Sequence, residues 1–285
     1  MNKTIFEALN WASSYLKEHG RDDNAARLLM QYLYETNYTG IMMRIHEVIP
    51  ENKLIQFENM VEEHAKGKPI QYITGTEEFY GRTFYVNESV LIPRPETEEL
   101  IVGAIQRMQQ LFGENKELKL ADIGTGSGVI AITMKLEWPM AKVTATDISE
   151  AALQTAKKNA QQLNANIDFR LGNLTEPIAG EKWDVILSNP PYIAYHEAEE
   201  MSDVVLEHEP HLALFAEDEG LRCYKELAQK LPNLINKRGL IGVEIGYKQG
   251  EAVANLFQQS FPQAEIEIVK DINEKNRFVF CKINV

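Results

Sequence analysis

The sequence has little cysteine: Cys223 and Cys281 are the two in 285 residues, and they form no CxxC pair. That scarcity points to reduced thiols in a cytoplasmic protein. The six histidines are scattered, and "HEPH" (208–211) lacks HExxH spacing while its proline interrupts any helix. No metal centre is expected. No apolar run approaches the ~18 residues that a membrane span needs, and "MNKTIFEALNWASSYLKEHG" lacks the apolar core and cleavage site of a secretory signal. A membrane partner is therefore not expected. Positive charge is scarce too. Lys and Arg number 29 against 42 Asp and Glu, for a net charge of −13. Affinity resting on nucleic-acid phosphates requires the opposite balance, so no stable nucleic-acid partner is expected, whereas a basic protein remains compatible.

What is present reads as an ordinary globular chain, 44% hydrophobic and 25% charged, long enough for a medium domain plus a small one. Residues 1–75 carry helical periodicity. Ile5, Leu9, Ala12 and Leu16 share one face, and Gly20 ends that helix. Asp22 and Asp23 stand where they could cap a second helix bearing Leu29 and Leu33. Leu54, Phe57, Val61 and His64 form another stripe, stopped by Gly67 and Pro69. The reading is a small helical bundle. Over 76–95 the period changes: "EFYGRTFYV" is β-prone, and Asn87–Glu88–Ser89 makes a turn before "VLIP", so a hairpin connector is expected. A helix then starts at Glu96–Thr97, behind two prolines.

From Leu118 onward strands and helices alternate. "LKLADIG", "KVTATD", "IDFRL", "WDVILSN", "LIGVEIG", "EIEIVK" and "RFVFCKI" are seven strand candidates. Alternation predicts a parallel sheet covered on both faces. Only "DINEKN" separates the last two, which suits a hairpin and an antiparallel strand at the edge. Residues 96–285 thus resemble the class I, Rossmann-like methyltransferase fold, an α/β sheet of seven strands.

Within it, "LADIGTGSGVIAI" puts Asp122 at a strand end, then Gly124, Thr125, Gly126, Ser127 and Gly128, then a helix. Glycines there allow a tight turn and bring backbone N–H groups against a ligand. The dinucleotide fingerprint would need Gly or Ala at 129, where Val129 stands. D-x-G-x-G-x-G instead resembles motif I of S-adenosyl-L-methionine methyltransferases. Asp147 ends the next strand, 19 residues after Gly128. An acidic residue there can accept from both ribose hydroxyls, the helix cap falling to Ser149. The resemblance places the adenine near Asn173 and Leu174.

"DVILSNPPYI" (184–193) ends an apolar strand at a polar residue followed by two prolines. An amide nitrogen is a poor nucleophile, because its lone pair is delocalised into the carbonyl. Two acceptors on its NH₂ hydrogens would hold it in line and keep electron density on nitrogen: the Asn189 side-chain oxygen and the Pro190 carbonyl. Pro191 restricts the torsions of Pro190, and Tyr192 could cover the flat face of the group. NPPY resembles the motif of methyltransferases acting on adenine N6, cytosine N4 or glutamine amides, and does not choose among them. Together with "GKPIQYITGTEEFYG" (67–81), "LIPRPETE" (91–98) and "HEPHLALFAEDEGL" (208–221), it resembles the HemK-type family, which methylates N5 of glutamine in class I peptide chain release factors.

That resemblance implies S-adenosyl-L-methionine as donor, S-adenosyl-L-homocysteine as product, and the Gly-Gly-Gln loop of a release factor as substrate. It also implies a substrate-docking role for 1–75. Arg94, Pro95 and Glu96 are expected near the pocket mouth. Tyr195 to Gly220 holds nine Asp and Glu and no Lys or Arg, a segment that would attract a basic protein and repel DNA. An N6-adenine DNA methyltransferase is the alternative, and it would need a basic recognition region that the sequence lacks.

Overall fold

The computed structural model describes residues 3–114 and 116–284. They fall into two units, Met1–Thr76 with Met201–His208, and Glu77–Glu200 with Glu209–Val285.

The first unit holds α1 (Ile5–Glu18), α2 (Asn24–Leu33), α3 (Tyr38–Met43), α4 (Glu51–Ala65) and α5 (Ile70–Thr74). A capping box starts α1: the Glu7 N–H donates to Thr4 Oγ1, and the Glu7 carboxylate accepts from the Thr4 N–H. Its buried stripe is Ile5, Ala8, Ala12 and Leu16, with Leu9 only half-buried. At α2 the two acids divide their work. Asp22 accepts from the Asn24 N–H at 2.9 Å, whereas Asp23 pairs with Lys17 at 2.7 Å. Leu54, Phe57, Val61 and His64 of α4 are buried, and the helical faces close over one core of mostly aliphatic side chains around Phe57. The later segment Met201–His208 is tied in by Arg21, whose guanidinium grips the Asp203 carboxylate with two bonds of 3.0 and 2.8 Å.

In chain order the remaining elements are β1 (Thr76–Phe79), β2 (Arg82–Tyr85), α6 (Pro95–Phe112), β3 (Lys119–Ile123), α7 (Val129–Glu137), β4 (Lys142–Asp147), α8 (Glu150–Gln162), β5 (Ile167–Leu171), β6 (Trp183–Ser188) and β7 (Ile193–Ala194). There follow α9 (Asp203–His208), α10 (His211–Leu214), β8 (Phe215–Ala216), α11 (Arg222–Lys230), β9 (Ile235–Glu244), α12 (Gly250–Ser260), β10 (Glu265–Lys270) and β11 (Asn276–Asn284). The expected connector is a hairpin, but it closes inside "EFYGRTFYV". Tyr80 and Gly81 take φ of 52° and 67°, the left-handed pair that a two-residue turn between twisted strands requires. Asn87–Ser89 does turn the chain, yet no strand follows it.

The main sheet runs β10-β11-β9-β6-β3-β4-β5. Six strands are parallel and β11 opposes them. The expected antiparallel edge is corrected here, since β11 lies between β9 and β10, and β10 is the edge. Burial explains the exchange. Phe278 to Cys281 are all buried and need neighbours on both sides, whereas β10 buries no residue fully. Two apolar layers cover the faces, one centred on α6 and α7, the other on α11 and α12. From β3 the chain moves outward to β4 and β5, then returns to the other side as β6. Such a reversal opens a crevice at the carboxyl ends of the two strands.

Candidate functional site

Register brings the sequence motifs together. Ile123 pairs with Ser188, and Ser188 with Val243, so Gly124, Asn189 and Glu244 emerge side by side at the carboxyl ends of β3, β6 and β9. Asp147 ends β4 on the other side of β3. A cleft of about 300 Å³ opens there, lined by Gly124, Thr125, Gly126, Ser127, Asp147, Asn173, Leu174, Asn189 and Pro191 among others. Gly128, Pro190 and Tyr192 are not part of this lining.

The glycines act differently from the expectation. The N–H groups of Gly124 and Thr125 both donate to the Thr146 carbonyl at 2.9 Å, Gly126 donates to Asp147 at 2.8 Å and Gly128 to Thr125 at 2.8 Å. Three amides therefore fold the loop against β4, and the fourth closes it on itself, instead of facing a ligand. What Gly124 and Gly126 provide is room: both have positive φ, and a Cβ on either would meet nothing within 4 Å. Gly128 serves packing, because a Cβ there would lie 2.9 Å from Ile132 and 3.1 Å from Ala156. Beneath the loop, Asn159 is fully buried and fully used. Its amide donates to the Ser127 and Tyr85 carbonyls and its oxygen accepts from the Tyr85 N–H.

Asp147 accepts from the Gly126 and Ser149 N–H groups, one on each oxygen, and Ser149 caps α8 as expected. Burial raises its carboxyl above the ordinary range, against those backbone bonds. Asp122 lies deeper. It is fully buried, one oxygen accepting from Thr125 Oγ1 at 2.5 Å and the Ala131 N–H at 3.1 Å, the other without a partner. Desolvation pushes it up to about 7.

Asn189 is anchored by residues that sequence reasoning missed. Its Nδ2 donates to Thr97 Oγ1 at 3.3 Å, and Thr97 Oγ1 donates to the fully buried Glu244 at 2.7 Å. One signal was available: Glu244 is a lone charge in the apolar run "LIGVEIG". Tyr192 is not among the residues that line the cleft. It packs half-buried against the α11–α12 layer, where burial raises its phenol, and Gln249 Nε2 donates to its carbonyl at 2.9 Å.

The segments 91–98 and 209–221 both contribute residues to the lining. Arg94 lines the cleft and donates to the buried Glu209 carboxylate at 2.5 Å, and the Ile92 N–H joins the same group. Pro95 begins α6 and, like Glu96, is not part of the lining; Thr97 is. Tyr195 and Leu212 are exposed at the cleft, Tyr195 stacking on Phe215 with centroids 5.3 Å apart. The acidic segment is less bare than its count suggests. Asp203 pairs with Arg21, Glu209 with Arg94, Glu217 with Arg222 and Asp218 with Lys225.

S-adenosyl-L-methionine, implied by motif I, fits the residues present. The cleft has the volume of a small-molecule site, open space over the glycines and a carboxylate at the tip of β4. Among the described residues, no cluster of His, Cys, Asp and Glu could hold a metal, and no helix is long and apolar enough to cross a membrane.

Residues 104–211 match the family model of the methyltransferase small domain, and residues 7–75 that of the PrmC N-terminal domain. The chain is 47% identical over 281 residues to a release factor glutamine methyltransferase of Bacillus anthracis, covering 98% of this chain and 99% of that one. It is 46% identical over 284 residues to the enzyme of the same name from Bacillus subtilis (strain 168), covering 99% of each. Among solved structures, a methyltransferase from Pyrococcus furiosus shares the fold with a TM-score of 0.54 at 17% identity, covering 80% of this chain and 100% of its own. By its full-length likeness to the Bacillus enzymes, the chain belongs to the release factor glutamine methyltransferase family.

Proposed function

We propose that this chain transfers a methyl group from S-adenosyl-L-methionine to the side-chain amide nitrogen (N5) of the glutamine in the Gly-Gly-Gln motif of class I peptide chain release factors, in the cytoplasm. The observation that carries this reading is the anchored Asn189, set beside the glycine-loop cleft with its nitrogen end engaged by Thr97. Its free oxygen suits one hydrogen of a carboxamide, and the Pro190 carbonyl is the proposed second acceptor. Pro191 stiffens that carbonyl and Tyr192 supports the turn from behind. Gly124 to Ser127 and Leu174 would hold the donor, with Asp147 on its ribose and Gly128 keeping the loop closed.

When bound, S-adenosyl-L-methionine supplies an electrophilic methyl group on a sulfonium. The chain's own residues then have two tasks: to orient the planar amide and to exclude water from it. No strong base is required before attack, since the amide nitrogen sheds its proton afterwards. Residues 1–75 are proposed to help dock the protein substrate, 76–95 to connect, and 96–285 to carry the chemistry. The net charge of −13 favours a basic protein over a phosphate backbone as partner.

Incubation with labelled S-adenosyl-L-methionine and either unmodified release factor or DNA tests the reading. A single added methyl on the Gly-Gly-Gln glutamine, seen by peptide mass spectrometry, is expected. Label entering DNA alone would establish the adenine alternative instead.

A further inference from the structure

Three side chains from distant parts of the chain meet beside the cleft. Asn189 follows β6, Thr97 belongs to the first turn of α6, and Glu244 ends β9. Asn189 Nδ2 lies 3.3 Å from Thr97 Oγ1, which lies 2.7 Å from Glu244 Oε2. A threonine hydroxyl has a single proton. An ionised carboxylate can only accept, so it takes that proton and leaves Thr97 Oγ1 only able to accept. The Asn189 carboxamide must then turn its NH₂ to Thr97, and its oxygen is the end left for a substrate.

We propose that Glu244, acting through Thr97, is a positioning residue that sets which end of the Asn189 carboxamide faces the substrate. The proposal rests on the reading of Asn189 as an acceptor for the glutamine NH₂. Protonation of Glu244 reverses the polarity. The carboxyl then donates to Thr97 Oγ1, the hydroxyl proton is released toward Asn189, and the carboxamide presents NH₂ to a substrate that itself offers NH₂.

The groups around Glu244 make that proton exchangeable near neutrality. Burial raises its carboxyl to about 7, opposed by the Thr97 bond, the Arg277 charge from β11 and Asn189, and reinforced by Glu96 of α6. Tyr192, after β6, is the phenol whose own ionisation Glu244 opposes. Tyr224 of α11 donates to the Glu244 backbone carbonyl at 2.7 Å and leaves the carboxylate to the others.

The test uses the full chain and a release factor, with kcat, KM and donor affinity measured from about pH 6 to about pH 9, and with the Asn189 side-chain amide followed by NMR. Thr97→Val is expected to lower kcat about tenfold or more while donor affinity stays within about twofold, and Thr97→Ser to restore kcat. Wild-type kcat should fall on the acid side through a single ionisation that Glu244→Gln abolishes. The Asn189 NH₂ resonances should titrate with that same ionisation in the wild type and stay flat in Glu244→Gln. Wild-type kcat in Thr97→Val, an acid limb retained by Glu244→Gln, or Asn189 resonances indifferent to pH would each overturn the proposal. If the resonances titrate but no release factor is methylated, the relay stands and the proposed function falls. Should Glu244→Gln fail to fold, the Thr97 pair and the wild-type resonances still decide.

Discussion

Replacing Asp122 by Asn should make the second unit more stable at alkaline pH, by an amount that depends on pH. The side chain is fully buried under the glycine loop, with one oxygen unpartnered. Desolvation lifts its pKa from 3.8 to about 7, against bonds from Thr125 and Ala131 and with help from the nearby Asp147 charge. Below the lower value both folded and unfolded chains are protonated, and ionisation costs nothing. Between the two values the unfolded chain ionises first, so the folded state loses ground as pH rises. Above about 7 the loss levels off at about 4 kcal/mol. Asn has nearly the same shape, keeps an acceptor for Thr125 and Ala131, and does not titrate. The wild type should therefore lose about 3 kcal/mol relative to Asp122→Asn between about pH 5 and about pH 8. Urea unfolding in a Trp11→Phe background measures this, because Trp138 and Trp183 are buried in the second unit and report its transition. A difference between the proteins that stays constant with pH would refute the reasoning.

Asn189→Ala should lower turnover by about a hundredfold or more while donor affinity, measured by calorimetry, stays within about twofold; equal loss in both would contradict an acceptor role. Asp147→Ala should chiefly weaken donor binding, by about tenfold or more, since a carboxylate serving two hydroxyls is lost; unchanged affinity in the same titration would count against a ribose contact. Gly242→Ala should destabilise the sheet by about 1–3 kcal/mol, because the new Cβ would stand 2.7 Å from the Phe280 ring and 3.0 Å from Leu187. Denaturation at one pH reads that loss, and wild-type stability would mean that the ring moves aside freely.

Asn189 shows how far local pattern reaches. Its place at the end of an apolar strand, before two prolines, is visible in ten residues, as is the glycine loop after β3. What the amide is attached to is not visible, since its partner Thr97 is 92 residues away and Glu244 lies 147 residues beyond Thr97. The acid count of 195–220 misled for the same reason. Arg21, Arg94, Arg222 and Lys225, which pair with four of those acids, all lie outside the segment.

Periodicity, with Gly and Pro as stops, marked the long helices of 1–75 and the seven strands of the main sheet, because side chains three to four or two residues apart either share a face or do not. The same local chemistry marked Gly124–Ser127, Asp147 and Asn189, which converge on one cleft. Tertiary structure decided the rest. It set β11 inside the sheet rather than at its edge, gave three of the loop's amides to β4, left Tyr192 out of the cleft lining and placed a buried carboxylate behind Asn189. Each of these follows from competition among distant partners for burial and hydrogen bonds, which no run of neighbouring residues records.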